Sequence, residues 1–442
     1  MIPDKCKSYQ TSRTKEAITL LKEKNYAWLL LSLLWFFSFF GSIGRFVQSY
    51  YQNDISQYLG VGRAFLGLTW SVNLLITALC APIGGLLVDK YGYKKVMLLT
   101  GIIGNIAIVT VLFSNTSVGY FIGFGILSGL SGINASSIYV LVSNWFKHHR
   151  AKALMIASSA GSLGLAVLTP LFVYFQDWLD WMKLYWILLV IGCGSILFIL
   201  FFVRTNDSDD EANEAPSSSS ESLKKERKLL DNARNWLPNF IGYCKNPTLV
   251  VVMIALFTCG FNMGTVERHL VAIQQVSHVH EAVFATSLSL LGLLELVGGL
   301  FFSFLLDRMN RLLALAILYG VRVMAFAILM MHFDLAPILF SLMFGASYLG
   351  AIPGGILVAT EALKSSSKSI GLQTGVLLLV HHLGGVFSGY FGGINYDLFK
   401  NYQLLIGVDI GLTVFSAAAY YYIYRSTAKQ KLTNVGRYNE SL

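Results

Sequence analysis

GGLLVDKYGYKK, residues 84–95, ends one long apolar run and opens the next. Asp89, Lys90, Lys94 and Lys95 crowd into a short polar break, and the runs on either side each reach about 20 residues, the length that crosses a bilayer. Outward from this break the same alternation continues along the chain. Apolar spans fall near residues 27–53, 62–88, 96–115, 118–145, 151–175 and 183–203, then near 248–276, 282–306, 312–332, 335–363, 370–398 and 402–425. The 442 residues are 55% hydrophobic and 13% charged, with a mean hydropathy of +0.59. A soluble domain carries about 25% charged residues. The expectation is an all-α membrane protein with twelve transmembrane helices.

The net charge of +9 would suit a nucleic-acid partner if it were spread over a soluble face. Its distribution argues otherwise. With the N-terminus inside, all of the 33 Lys and Arg except Arg45, Arg63, Lys183, Arg268, Arg322 and Lys400 fall in cytoplasmic segments. That is the positive-inside bias, so both termini are expected to face the cytoplasm of a cell membrane, inner or plasma, with no nucleic-acid partner. Cys6, Cys80, Cys193, Cys244 and Cys259 show no paired spacing, and free thiols are expected. The first span lacks a small-residue cleavage site ahead of it and is read as retained.

The chain divides into a cytoplasmic segment (1–26), a first six-span half (27–203), a linker (204–247), a second six-span half (248–425) and a tail (426–442). The linker opens with the acidic, Ser-rich RTNDSDDEANEAPSSSSES. Leu223, Leu230, Ala233 and Leu237 then recur at helical spacing among basic residues, as expected of an amphipathic helix on the inner membrane face. The second half repeats the opening string: FFSFLLDRMNRLLALA (301–316) places Asp307 and Arg308 where the first half has Asp89 and Lys90. Two six-helix bundles about a central site suit alternating access.

Gly85, Asp89, Lys90, Gly92, Lys94 and Lys95 resemble the loop 2–3 signature of the major facilitator superfamily; Tyr93 stands where Arg is common, and the second copy has Ser303 and Asn310 for its two glycines. The resemblance covers about residues 27–425. NWFKHHRAKALMIASSAGSLG (144–164) and HHLGGVFSGYFGGINYD (381–397) are similar to helices 5 and 11 of the monocarboxylate and oxalate–formate branch. This resemblance implies a gating role for Gly85, Asp89, Lys90, Gly92, Lys94, Asp307 and Arg308, with Asp89 bracing one access state. The glycine runs Gly125/Gly129/Gly132 and Gly385/Gly389/Gly393 are expected to let helices approach closely.

Ionisable residues within spans are functional candidates by default. Arg45, in FGSIGR, resembles the branch's basic residue that meets a substrate carboxylate, and a guanidinium fork fits a carboxylate well. Its alternative is snorkelling toward the outer rim. Glu295 falls where the branch often has Asp and is a candidate proton carrier, with Gly299 at the position of the branch's accompanying Arg; Arg322, at similar depth, could serve coupling or pair with Glu295. The resemblance also implies that His269 and His381 line the cavity, whereas Glu267 and Arg268 are expected at the interface. Asn134 and Tyr139 are candidate polar contacts, as are Asn73, Asn262 and Gln373, unless they serve as helix–helix glue.

No Walker loop and no catalytic or metal-binding string occurs, so neither enzymatic activity, cofactor nor metal is expected. The expected function is proton-coupled transport of a small monocarboxylate or related organic anion by a monomer, through a cavity between spans 1, 4, 5, 7, 8, 10 and 11. A carrier of a larger solute (siderophore, amino-acid derivative or drug) is the alternative, followed by a non-transporting receptor.

Overall fold

The computed structural model describes residues 25–146, 150–204, 242, 244–331, 333–363 and 370–440. The linker helix expected over residues 223–237 lies outside them, as do the side chains of Asp89, Tyr139, Asp307 and Gln373.

In hydrocarbon every backbone N–H and C=O must find its partner within the chain, so each apolar run becomes a helix. Among the described residues, twelve helices are long and apolar enough to cross a membrane. In the first half these are α1 (Asn25–Tyr50), α2 (Arg63–Tyr91), α3 (Tyr93–Phe113), α4 (residues 117–145), α5 (Arg150–Tyr174) and α6 (Trp181–Phe202). In the second they are α7 (Pro247–Val276), α8 (Glu281–Arg308), α9 (Arg311–Met330), α10 (Ala336–Leu363), α11 (Ile370–Phe399) and α12 (Gln403–Glu440). Large apolar side chains such as Leu79, Ile83, Val190, Phe201 and Phe304 stay exposed, as expected of surfaces that lie against lipid tails.

The two motif turns are built differently. Gly92 takes φ +79°, a conformation that L side chains rarely adopt, and starts α3. Asn310 sits at φ −61° and caps α9, its side-chain oxygen accepting from Leu312 N at 3.0 Å. The weakened second copy thus trades a glycine turn for a side-chain cap.

Helix α2 lies between the two glycine runs. Gly125, Gly129 and Gly132 of α4 face Thr69, Ile76 and Thr77, and Gly385, Gly389 and Gly393 of α11 face Leu74, Trp70 and Ala64. Where α2 crosses α11, a side chain at Gly67 would drive into the Gly389 carbonyl, so two backbones touch there.

The bundles close on each other at the end away from the linker. Asp397 of α11 accepts from Arg63 N at 3.0 Å and Ala64 N at 2.8 Å, at the first turn of α2. Ser71 donates to the Val386 carbonyl at 2.7 Å, Gln275 to the Tyr50 carbonyl at 3.2 Å and Ser289 to the Ala166 carbonyl at 2.8 Å. The hydrophobic core at this end of the first bundle includes Val271 and Phe284 of the second. Near the linker, the core of Leu30, Leu141, Phe146 and Phe198 belongs to the first bundle alone, and that of Leu256, Leu315, Tyr319 and Tyr420 to the second alone.

Candidate functional site

Helix α7 opens into a π-type turn at Thr265–His269, and the extra residue sends Glu267, Arg268 and His269 to three different neighbours. Glu267 meets α1: Arg45 Nη2 lies 3.4 Å from Glu267 Oε1. The same oxygen accepts from Tyr348 Oη of α10 at 2.5 Å. The Arg45 and Glu267 side chains are 42% and 31% exposed, so the pair is wetted and exchangeable. Arg45 therefore turns into the protein rather than snorkelling toward a rim.

Arg268 and Glu267 do not lie at an interface as their sequence position suggests. Arg268 is buried and donates to the Gln48 carbonyl, while Gln52 donates to the Arg268 carbonyl, so α7 and α1 are tied in both directions. Gln48 is itself held by Tyr185 at 2.5 Å and Tyr120 at 2.9 Å. His269 is buried, its Nε2 lying 3.0 Å from the Gly389 carbonyl, with its ring against Gly392 and Tyr402. It occupies the α7–α11 joint.

Glu295 is 4% exposed and accepts from Ser162 Oγ of α5 at 2.7 Å. Among the described residues no ion pair joins it to Arg322. Helix α10 is interrupted between Ser347 and Ala351, and Pro353 cannot supply an N–H to the broken turn. Arg322 caps the end of the first segment, donating to the Ser347 carbonyl at 3.0 Å and the Tyr348 carbonyl at 3.1 Å, with its guanidinium over Phe344. A cation there also matches the negative end of the first α10 segment. Arg322 thus holds the segment that carries Tyr348.

Two cavities meet at Arg45 and Glu267. A small one, about 40 Å³, is lined by Glu295, Thr169 and Tyr348 besides the ion pair, enough for a few waters. A larger one, about 540 Å³, extends into the first bundle past Gln48, Asn73, Asn105 and Ser131. Sequence reasoning had placed the cavity between the bundles alone, without α3 or α6. His381 lies outside both, buried with its Nδ1 3.2 Å from the Leu256 carbonyl. Asn134 begins the last segment of α4, and its side-chain oxygen has no partner. In the two motif turns Lys94 donates to the Leu200 carbonyl at 3.0 Å, Lys90 lies over Tyr91, and Arg308 lies over Phe304.

One buried acid was missed. Asp409 of α12 is fully buried and accepts from Asn262 Nδ2 and Thr265 Oγ1, both at 2.7 Å; Thr265 in turn meets Ser388 of α11 at 2.8 Å. It stands alone as an acid within span 12, so the rule that singles out Glu295 would have found it.

A model of the Major Facilitator Superfamily matches residues 34–389. The chain is 27% identical over 369 residues to the uncharacterized MFS-type transporter YcxA of Bacillus subtilis (strain 168), covering 80% of this chain and 85% of that one. It is 22% identical over 281 residues to monocarboxylate transporter 12 of Rattus norvegicus, covering 59% of this chain and 55% of that one. In fold it is similar to a crystal structure of the nucleoside transporter NupG, with a TM-score of 0.72 at 15% identity over 90% of this chain and 100% of that one.

Proposed function

The chain belongs to the Major Facilitator Superfamily, and from that premise we propose that it carries an organic anion bearing one carboxylate together with a proton, by alternating access. The observation that carries this reading is Arg45, a single guanidinium lining both cavities with Glu267 in its grip and Glu295 nearby.

The charges dictate the coupling. A substrate carboxylate competes with Glu267 for the guanidinium fork. Its arrival would leave one cation facing three carboxylates, one of which, Glu295, is buried, where unpaired charge is expensive. A proton entering with the anion removes that excess. Glu295 is the acceptor we assign, because it is buried, bonded to a neutral hydroxyl and next to a water-sized cavity. Tyr348, held in place through Arg322, keeps Glu267 close while it is displaced. Homology to monocarboxylate transporter 12 supports the substrate class. The Lys/Arg bias supports placing the linker end in the cytoplasm, so the present state is closed to the outside.

The test is uptake of labelled lactate, pyruvate and larger organic acids into proteoliposomes under an imposed pH gradient. Uptake driven by an acidic exterior is expected, abolished in Arg45→Gln and partly kept in Arg45→Lys. Absence of pH-driven flux for every organic anion, or equal native transport in both variants, would refute the proposal.

A further inference from the structure

The coupling scheme above leaves one buried acid unused. Asp409 is fully buried in α12, inside an apolar span, where an unpaired carboxylate is expensive. Helices α7, α9 and α11 pack against α12. Among the described residues, the charged group they bring to bear on Asp409 is Arg322 of α9. Arg322 forms no ion pair with it and is spent on the Ser347 and Tyr348 carbonyls. The titratable groups flanking Asp409 on those helices are bonded elsewhere: His269 to the Gly389 carbonyl, His381 to the Leu256 carbonyl, Tyr319 to the Ala255 carbonyl, Cys259 to Met263 and Glu267 to Arg45. With no cation to pair with, the neutral acid is the cheaper form.

The bonding around the carboxyl group has room for that proton. Oδ1 faces the Asn262 amide nitrogen at 2.7 Å, a group that only donates. The acid proton therefore belongs on Oδ2, which lies 2.7 Å from Thr265 Oγ1. Thr265 Oγ1 in turn lies 2.8 Å from Ser388 Oγ, and either hydroxyl can be the donor. This chain closes in both protonation states. Beside a carboxylate, Ser388 donates to Thr265 and Thr265 to Asp409. Beside the acid, Asp409 donates to Thr265 and Thr265 to Ser388.

Thr265 is also the first residue of the π-type turn of α7. Within that turn Glu267 grips Arg45 of α1, Arg268 bonds Gln48 of α1, and His269 sits on Gly389 of α11. The turn is thus a joint between the bundles, and Asp409 braces its first residue from behind. We propose that Asp409 is a second proton-holding carboxyl, distinct from Glu295, and a positioning residue whose proton keeps this joint closed. Loss of the proton sets an unpaired charge against Thr265, and that charge is relieved when α7 shifts and lets water in. Neither cavity described above reaches Asp409, so the proton is trapped while the joint is closed and exchanges when it parts. A proton taken up from outside would then favour closing the outer end behind the anion. The inference deepens the proton coupling proposed above, and rests on that reading only for what the proton does in transport.

The experiment needs no substrate. It uses the purified full-length protein in lipid nanodiscs, in a Glu295→Gln background that silences the other buried acid, with melting temperature as the folding control. Infrared difference spectra are taken between neutral and alkaline buffer, a range in which exposed carboxyls stay ionised. A protonated-carboxyl band should be present at neutral pH, fade on the alkaline side and be missing in Asp409→Asn. Spin labels on cysteines at Gln57 and Asp334, exposed on opposite bundles at the outer end, report the joint in a cysteine-free chain. As pH rises through the fading of the band, the ratio of long to short distances should climb by up to about tenfold per pH unit, the slope of one proton. Asp409→Asn should hold the short distance at both pH values. Thr265→Val should keep the band and lose the pH dependence of the distance. A band undiminished at alkaline pH would make Asp409 a structural acid, and no band assignable to it at neutral pH would make it an ion; either overturns the inference. So would a pH-dependent distance that Asp409→Asn and Thr265→Val leave unchanged. Absence of flux for every organic anion, with the band and its distance change intact, would refute anion transport and leave the Asp409 proton standing.

Discussion

Asp397→Asn tests the closure at the end away from the linker. The Asp397 carboxylate accepts from two consecutive backbone N–H groups of the opposite bundle, at 3.0 and 2.8 Å, where the first turn of α2 has no internal acceptors. A hydrogen bond to a charged group contributes about 1.5–3 kcal/mol, and a negative charge at a helix N-terminus adds about 0.3–1 kcal/mol. An Asn amide has one acceptor oxygen and no charge. It keeps one bond of ordinary strength and turns its NH₂ toward the other donor. The closed state should therefore lose about 2 kcal/mol relative to the opened one, roughly a thirtyfold change in their ratio. A closed form populated at about 99% would fall to about three quarters. Spin labels on cysteines at Gln57 and Asp334, exposed positions on opposite bundles at this end, would read the change in a cysteine-free background as growth of a longer-distance population. Gly62→Ala gives an independent route, because its Cβ would strike the same carboxylate. Asp397→Glu, which keeps the charge, should lie nearer the native distribution. An unchanged distribution in both Asp397→Asn and Gly62→Ala would show that this cap does not hold the gate.

Glu295→Gln keeps a partner for Ser162 but cannot ionise, so uptake driven by a pH gradient should be lost while exchange of labelled for unlabelled anion persists; loss of both, in protein that still melts normally, would remove Glu295 from coupling alone. Asp409→Asn should stay within about 1 kcal/mol of native stability by denaturant titration, whereas Asp409→Leu takes the shared acceptor from Asn262 and Thr265, leaving them Thr413 and Ser388, and should cost about 1–3 kcal/mol; equal melting of the two would show that the polar cluster is not what holds α7 to α12. Arg322→Met leaves the Ser347 and Tyr348 carbonyls uncapped and should lower stability by about 3 kcal/mol, and an undiminished melting temperature would contradict the capping role.

Much of the architecture was legible in the residues. Twelve spans and the doubled Asp–basic turn follow from a requirement that acts locally, since each apolar run of about 20 residues must satisfy its backbone within itself. The glycine runs of α4 and α11 were also readable as contact faces, though not that both press on α2. The polar residues were harder. Glu267, Arg268 and His269 are consecutive, and sequence alone could assign them only a depth. The π-type turn that parts them, sending one to Arg45, one to Gln48 and one to Gly389, depends on tertiary packing.

By itself, then, the sequence determined that this is a twelve-helix, two-bundle membrane protein and that Arg45 and Glu295 are ionisable groups within apolar spans. Tertiary structure alone decided their partners. Arg45 and Glu267 are 222 residues apart, and Glu295 and Ser162 are 133 apart. Arg322, an equally good partner for Glu295 on sequence grounds, is spent on a helix break that Pro353 makes local and the fold brings within reach. The cavity was least visible of all, because residues of six helices bound it at once. Hydrophobic burial in a bilayer is a property of each segment, whereas charge pairing and empty space belong to the assembled bundles.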